Sequence, residues 1–249
     1  MTLAAVALCL LSSTTNHQRW QSAHGPIHTW HPGLAVPTAV VLYVHGYNDD
    51  ADSAFADHHL AEQFADSGFE ALFVVPEAPS GPQQRVSWPD LEELLVEVSR
   101  QHDVPLPQTV FVFGHSGGNR TLKAWLASAR VNHVVLLDGF YGDPKPFENW
   151  LGGNADAQLI LIGQLTFARA ETWRKGLVAS SRDRVEQRAA GCSHMQIVTA
   201  GKWIPHVLRA SAQRREGKER SPARALNSSA ALQKSARRPY RHRHAALPD

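Results

Sequence analysis

The chain has 249 residues, enough for one large α/β domain or two small ones with a full core. Hydrophobic residues make up 43% and charged residues 19%, the ordinary balance of a soluble globular protein. The net charge of +2 is uneven: residues 211–249 hold ten Lys/Arg against three acids, net +7, which leaves −5 for the rest. A nucleic-acid reading would therefore rest on the tail alone, and no nucleic acid is expected for the folded domain.

From the N-terminus, Thr2 to Leu11 is a ten-residue apolar run followed by Ser12-Ser13-Thr14-Thr15. It is too short to span a bilayer as a helix. It has the length and apolarity of a signal-peptide h-region, although no Lys or Arg precedes it. Export to a periplasmic or extracellular site is one expectation, and a cytoplasmic location is the alternative. No other segment has the length and apolarity of a transmembrane helix. The two cysteines, Cys9 and Cys192, offer neither a disulfide framework nor a cysteine-based metal site.

Short apolar runs then alternate with amphipathic stretches, which predicts a mostly parallel sheet with helices on both faces. The strands are expected at residues 39–45, 71–75, 109–114, 133–138 and 158–163, with 27–30 as an earlier strand and 184–188 as a weaker final edge. Helical spacing covers 53–67, 91–101, 117–129 and 168–180, the second starting at Pro89 or Asp90. Residues 76–89 carry Pro76, Pro79, Gly81, Pro82 and Pro89 and read as a loop. Within it, Glu77 and Arg85 read as a solvent-facing pair or as residues flanking a substrate entrance. The expected domains are 1–17 as a signal peptide or disordered N-terminus, 18–210 as the folded unit, and 211–249 as a basic, disordered tail.

Gly114-His115-Ser116-Gly117-Gly118 fits G-x-S-x-G. By chance the bare pattern would occur in roughly one chain in fifteen of this length. Its context carries the reading: an apolar run, Val110–Phe113, precedes it, and helical spacing follows. A strand-to-helix turn this sharp brings chain segments together, and Gly114 and Gly118 remove the Cβ atoms that would collide. Ser116 is thus the candidate nucleophile, against a tight structural turn. Serine needs a base. His194, in Gly191-Cys192-Ser193-His194-Met195, follows the last expected strand, where a Ser–acid–His order puts the base. Its alternative is a loop or cap histidine. Of the other thirteen, His17, His24, His28, His31, His242 and His244 read as exposed polar residues.

The segment Val40 to Asn48 ends the buried strand at 39–45 in His45-Gly46. Such a loop supplies one oxyanion-hole amide and the residue after the nucleophile supplies the other, here the N–H groups of Tyr47 and Gly117. His45 reads as a hydrogen-bonder beneath the loop. Trp88, Trp125, Trp150, Trp173 and Trp203 read as core or groove aromatics.

The segments His45-Gly46-Tyr47-Asn48 and His115-Ser116-Gly117-Gly118-Asn119-Arg120 resemble a bacterial branch of α/β-hydrolase serine hydrolases in which Asn-Arg follows the nucleophile motif. The resemblance spans residues 39–194 and implies a three-layer α/β fold, a Ser–acid–His triad and no cofactor; the substrate is left open. The family most often places its acid after the strand at 158–163, where this chain has Gln164-Leu165-Thr166-Phe167 and no carboxylate. Asp138, closing the preceding strand, is the first candidate for orienting His194; a turn or N-cap is its alternative role. Asp143, Asp156 and Asp183 are the other candidates, and a dyad without an acid is a further one. The sequence expectation is a carboxylic-ester hydrolase using Ser116, His194 and Asp138, with a small-molecule or lipid-like ester as substrate. The alternative is a non-catalytic binding protein that kept the fold and lost the acid.

Overall fold

Along the strand Ala39–Val44, side chains alternate between two separate cores. Val40, Leu42 and Val44 enter one, and Ala39, Val41 and Tyr43 enter the other. A strand with period-two side chains and no polar face needs cover on both sides. The computed structural model describes residues 17–33, 37, 39–105 and 107–219, and it supplies that cover in three layers. The expected leader and the basic residues after Glu219 lie outside the described residues.

In chain order the sheet is built from β1 (His17–Ser22), β2 (Gly25–Trp30), β3 (Ala39–Val44), β4 (Leu72–Pro76), β5 (Thr109–His115), β6 (Val131–Leu137), β7 (Gln158–Gly163) and β8 (Val185–Ala189). Their spatial order is β1-β2-β4-β3-β5-β6-β7-β8. The hairpin β1–β2 joins β4 antiparallel, and every pairing from β4 to β8 is parallel. One face is covered by α3 (Leu91–His102), α4 (Asn119–Trp125), α5 (Lys145–Gly153) and α6 (Phe167–Gly176), through side chains such as Leu94, Leu122, Trp150 and Ala170. The other carries α1 (Ala51–Asp57), α2 (Leu60–Ser67), α8 (Gln196–Thr199) and α9 (Trp203–Glu219), through Ala54, Phe64, Ile197 and Leu208. The short α7 (Ala179–Arg182) leads into β8.

The expected strands and loop appear within two residues of their anticipated bounds, but four details differ. The helices anticipated at 53–67 and 168–180 are each two helices, the first broken where His59 adopts φ 50° and the second where Leu177 and Val178 turn extended. The strand β1 and the helix α5 were not anticipated. The boundary drawn at Ala210 falls inside α9, whose Ser211 is buried and donates to Val207 O at 2.9 Å. Finally, His28 is buried rather than exposed, because its ring clusters with those of Phe55 and His17 and meets Asp52 Oδ1 at 2.6 Å.

These five tryptophans are core residues: Trp88, Trp125 and Trp150 are buried in one core with Trp173 packed against it, and Trp203 is buried in the other. Trp125 Nε1 donates to Trp88 O at 2.7 Å, and Trp150 Nε1 donates to Val131 O at 3.1 Å, so those two indoles are satisfied.

Candidate active site

At the carboxyl ends of β3, β5 and β6 three residues take the left-handed backbone: Asn48 (φ 65°), Ser116 (φ 48°) and Asp138 (φ 48°). Such a conformation costs a non-glycine residue on the order of 1–3 kcal/mol and gathers where function holds it in place. Ser116 sits at the corner between β5 and the single 3₁₀ turn that opens into α4. A Cβ on Gly118 would lie 2.7 Å from both His45 O and Val44 O, so this corner closes only with glycine there. Asn119 ties the corner from the other side, donating its side-chain N–H to Ser116 O at 3.0 Å.

The loop after β3 lies directly against the serine. A Cβ on Gly46 would sit 2.9 Å from Ser116 Cβ, and the ring of Tyr47 covers Gly117. Tyr47 and Gly117 are therefore brought beside Ser116. His45 lies underneath, fully buried; its Nδ1 donates to Gly46 O at 2.9 Å and its Nε2 accepts from Ala78 N at 3.0 Å. Both ring nitrogens are engaged by the loops they hold, as expected for a hydrogen-bonder under the loop. Glu77 departs from the solvent-facing expectation: it is half-buried, accepts from Ala51 N at 3.0 Å at the start of α1, and lies 3.6 Å from His45 Nε2. Arg85 is exposed.

His194 reaches the same place from the loop after β8. Gly191, at φ 67°, turns that chain, and α8 anchors it by burying Ile197 and Val198. His194 Nδ1 meets Asp138 Oδ2 at 2.8 Å. His194 and Ser116 line one cavity of about 420 Å3, together with Gly46, Tyr47 and Met195.

Asp138 is fully buried, yet five donors converge on its carboxylate. Besides His194, it accepts from the backbone N–H of Gln164 (2.9 Å), Leu165 (3.2 Å) and Thr166 (2.9 Å), and from Thr166 Oγ1 (3.0 Å). Burial opposes ionisation, but the bonds from His194 and the three amides outweigh it and hold the carboxyl well below the usual range. An ionised Asp138 can only accept, so His194 Nδ1 carries the proton, and in the neutral ring the lone pair is then on Nε2. The segment that lacks a carboxylate thus holds one: Gln164-Leu165-Thr166 cradles the Asp138 carboxylate, which is carried one strand earlier. Sequence reasoning missed it because the contribution is made by backbone amides. Of the other acid candidates, Asp143, Asp156 and Asp183 are all exposed, and His194 bonds to none of them.

A second residue escaped notice. His115, 3% exposed, stacks obliquely on His194 with ring centroids 4.7 Å apart. Burial first, then the neighbouring His194 and His58, push it down to about 3, which keeps it neutral beside the exposed edge of His194. Its place inside the nucleophile motif gave no signal, since that position tolerates many residue types. A larger cleft of about 740 Å3 lies at the opposite end of the sheet, near Asn132 and Asp156, away from these groups. Among the described residues, no group of three His, Cys, Asp or Glu side chains could hold a metal ion, and no helix is long and apolar enough to cross a membrane.

No protein-family model and no curated protein matches the sequence. Solved structures do. The chain is similar to an S-formylglutathione hydrolase from Agrobacterium tumefaciens, with TM-score 0.54 and 14% identity over 81% of this chain and 97% of that one. It is similar to the fluorophosphonate-binding serine hydrolase F of Staphylococcus aureus, with TM-score 0.53 and 13% identity over 76% and 97% of the two chains. An esterase from Pyrobaculum calidifontis gives TM-score 0.52 and 14% identity over 79% and 84%. At such identities the likeness speaks to architecture, and with the strand order and layers above it gives one conclusion: this chain has the α/β-hydrolase fold.

Proposed function

We propose that the protein is a serine hydrolase acting on carboxylic esters through an acyl-enzyme. The reading rests on one observation above all: a half-buried imidazole, oriented by an ionised and fully buried carboxylate, opens onto the same cavity as a serine on a strained turn. In this reading Ser116 Oγ attacks the ester carbonyl while His194 Nε2 takes its proton. Asp138 fixes the imidazole tautomer and stabilises the imidazolium. The Tyr47 and Gly117 amides hold the oxyanion, a contribution of about 3–4 kcal/mol per donor in comparable sites. His194 returns the proton to the departing alcohol, and water then releases the acid by the same steps in reverse order. Esters suit the site better than amides because their leaving groups are easier to expel.

Labelling with a fluorophosphonate probe followed by peptide mapping tests this directly. The adduct is expected on Ser116 and is expected to vanish in Ser116→Ala; labelling that survives that substitution removes the assignment. Asp138→Asn is expected to lower kcat on a short-chain ester by about 10^3–10^4, because the amide no longer fixes the tautomer. Equal inertness of wild type and Asp138→Asn, with a ligand still bound, would instead favour the binding-protein alternative.

A further inference from the structure

Two cavities meet at Ser116, and they carry opposite charge. The one containing His194 also presents Asp49 and Asp57. His58 lies 3.3 Å from Asp49, and burial lowers its pKa, which favours the neutral ring over an ion pair. The second cavity, of about 370 Å3, runs along α4 and includes Tyr47, Ser116, Arg120, Lys123 and Tyr141. Arg120 and Lys123 are three residues apart and share one helix face.

Neither cation forms an ion pair among the described residues. Among the described residues, Arg120 donates only to uncharged groups: Tyr47 Oη (3.3 Å), Gly81 O (3.3 Å), Pro82 O (2.8 Å) and Gln84 O (2.9 Å). Lys123 donates to Tyr141 O at 2.9 Å and lies 5.6 Å from the Phe147 ring centroid. Asp143 acts on it electrostatically without forming an ion pair, and Arg169 acts with the opposite sign. An ammonium has three N–H donors, so two on Lys123 remain for a ligand. Burial lowers the lysine, a cost that an incoming anion would offset.

The two sides are distinguished by the chemistry. Under the proposed hydrolytic reading, His194 delivers its proton to the departing oxygen, so the alcohol occupies the cavity with His194 and the acyl chain occupies the one with Lys123. We infer that the substrate is a half-ester of a short dicarboxylic acid, its free carboxylate bound by Lys123 and Arg120 and its alcohol uncharged or cationic. From Ser116 to Lys123 the helix rises roughly 10 Å, a span covered by the lysine side chain and an acyl chain of about four to six carbons.

The test compares monomethyl glutarate with methyl valerate, of equal chain length and no charge, on the full-length protein with methanol release followed by NMR. At low ionic strength the half-ester is expected to have a kcat/KM at least tenfold higher. That ratio is expected to shrink with added salt, to collapse in Lys123→Gln and to persist in Lys123→Arg. Equal rates for the two esters overturn the inference while leaving the hydrolase intact. Calorimetric titration of glutarate into Ser116→Ala provides a readout free of turnover. Binding that is lost in Ser116→Ala/Lys123→Gln supports the anion pocket even if neither ester is cleaved, and absence of glutarate binding overturns it.

Discussion

At the scale of single residues, the unusual expense of this protein is concentrated around one imidazole. His115 is a buried neutral ring whose Nε2 has no hydrogen-bond partner. An unfolded histidine titrates near 6.5, whereas folded His115 titrates at about 3. Between those values the unfolded chain binds a proton that the folded chain refuses, so stability falls as pH drops through that window. At pH 4 this one group should have removed about 3 kcal/mol relative to pH 7. Urea unfolding of wild type and His115→Phe at both pH values checks it: the wild type is expected to lose more by that margin. Asp138 works in a lower window. Its depressed pKa contributes stability above the ordinary carboxylate value and loses it only in stronger acid.

Helices and strands show where local sequence ceased to be informative. The break between α1 and α2 contains neither Gly nor Pro, only His58-His59, and the spacing across it reads as continuous helix. What stabilises the break is remote: Gln63 Nε2 donates to His58 O at 2.7 Å and to Val198 O at 2.6 Å, tying it to α8. The strand β1 is invisible for another reason: it is a polar edge strand, HQRWQS, with no buried face to impose alternation. The helix α9 continues past the expected domain boundary because its first half is anchored. Ile204, Val207 and Leu208 are buried, and Pro205 falls in the first turn, where no intrahelical N–H is needed. Ile204→Ala should cost about 2–5 kcal/mol, seen as a lowered urea midpoint with unchanged slope.

For the molecule as a whole, stability should grade from edge to centre. The strands β3, β5, β6 and β7 are sandwiched between two apolar layers, whereas β1 leaves one edge open. Hydrogen exchange is expected to be slowest in β5 and β6 and fastest in β1, and uniform rates would contradict this layering. The same layering explains how much could be read in advance. Apolar runs of strand length, punctuated by Gly and Pro, determine a doubly covered parallel sheet because no other arrangement buries both faces. G-x-S-x-G after such a run marks Ser116 because only glycines allow the bend. By itself, then, the sequence determined the layered fold and the glycine-flanked turn that carries Ser116, and it pointed to His194 as a candidate. Tertiary structure alone decided the partner of that histidine: Asp138 was one of several candidates until its strand brought it to His194, and the amides that keep it ionised come from a loop without a carboxylate. It also brought Asp49 and Asp57 to one cavity and the α4 residues Arg120 and Lys123 to the other, because the loop after β3, α1 and α4 meet around Ser116 only where the strands end together.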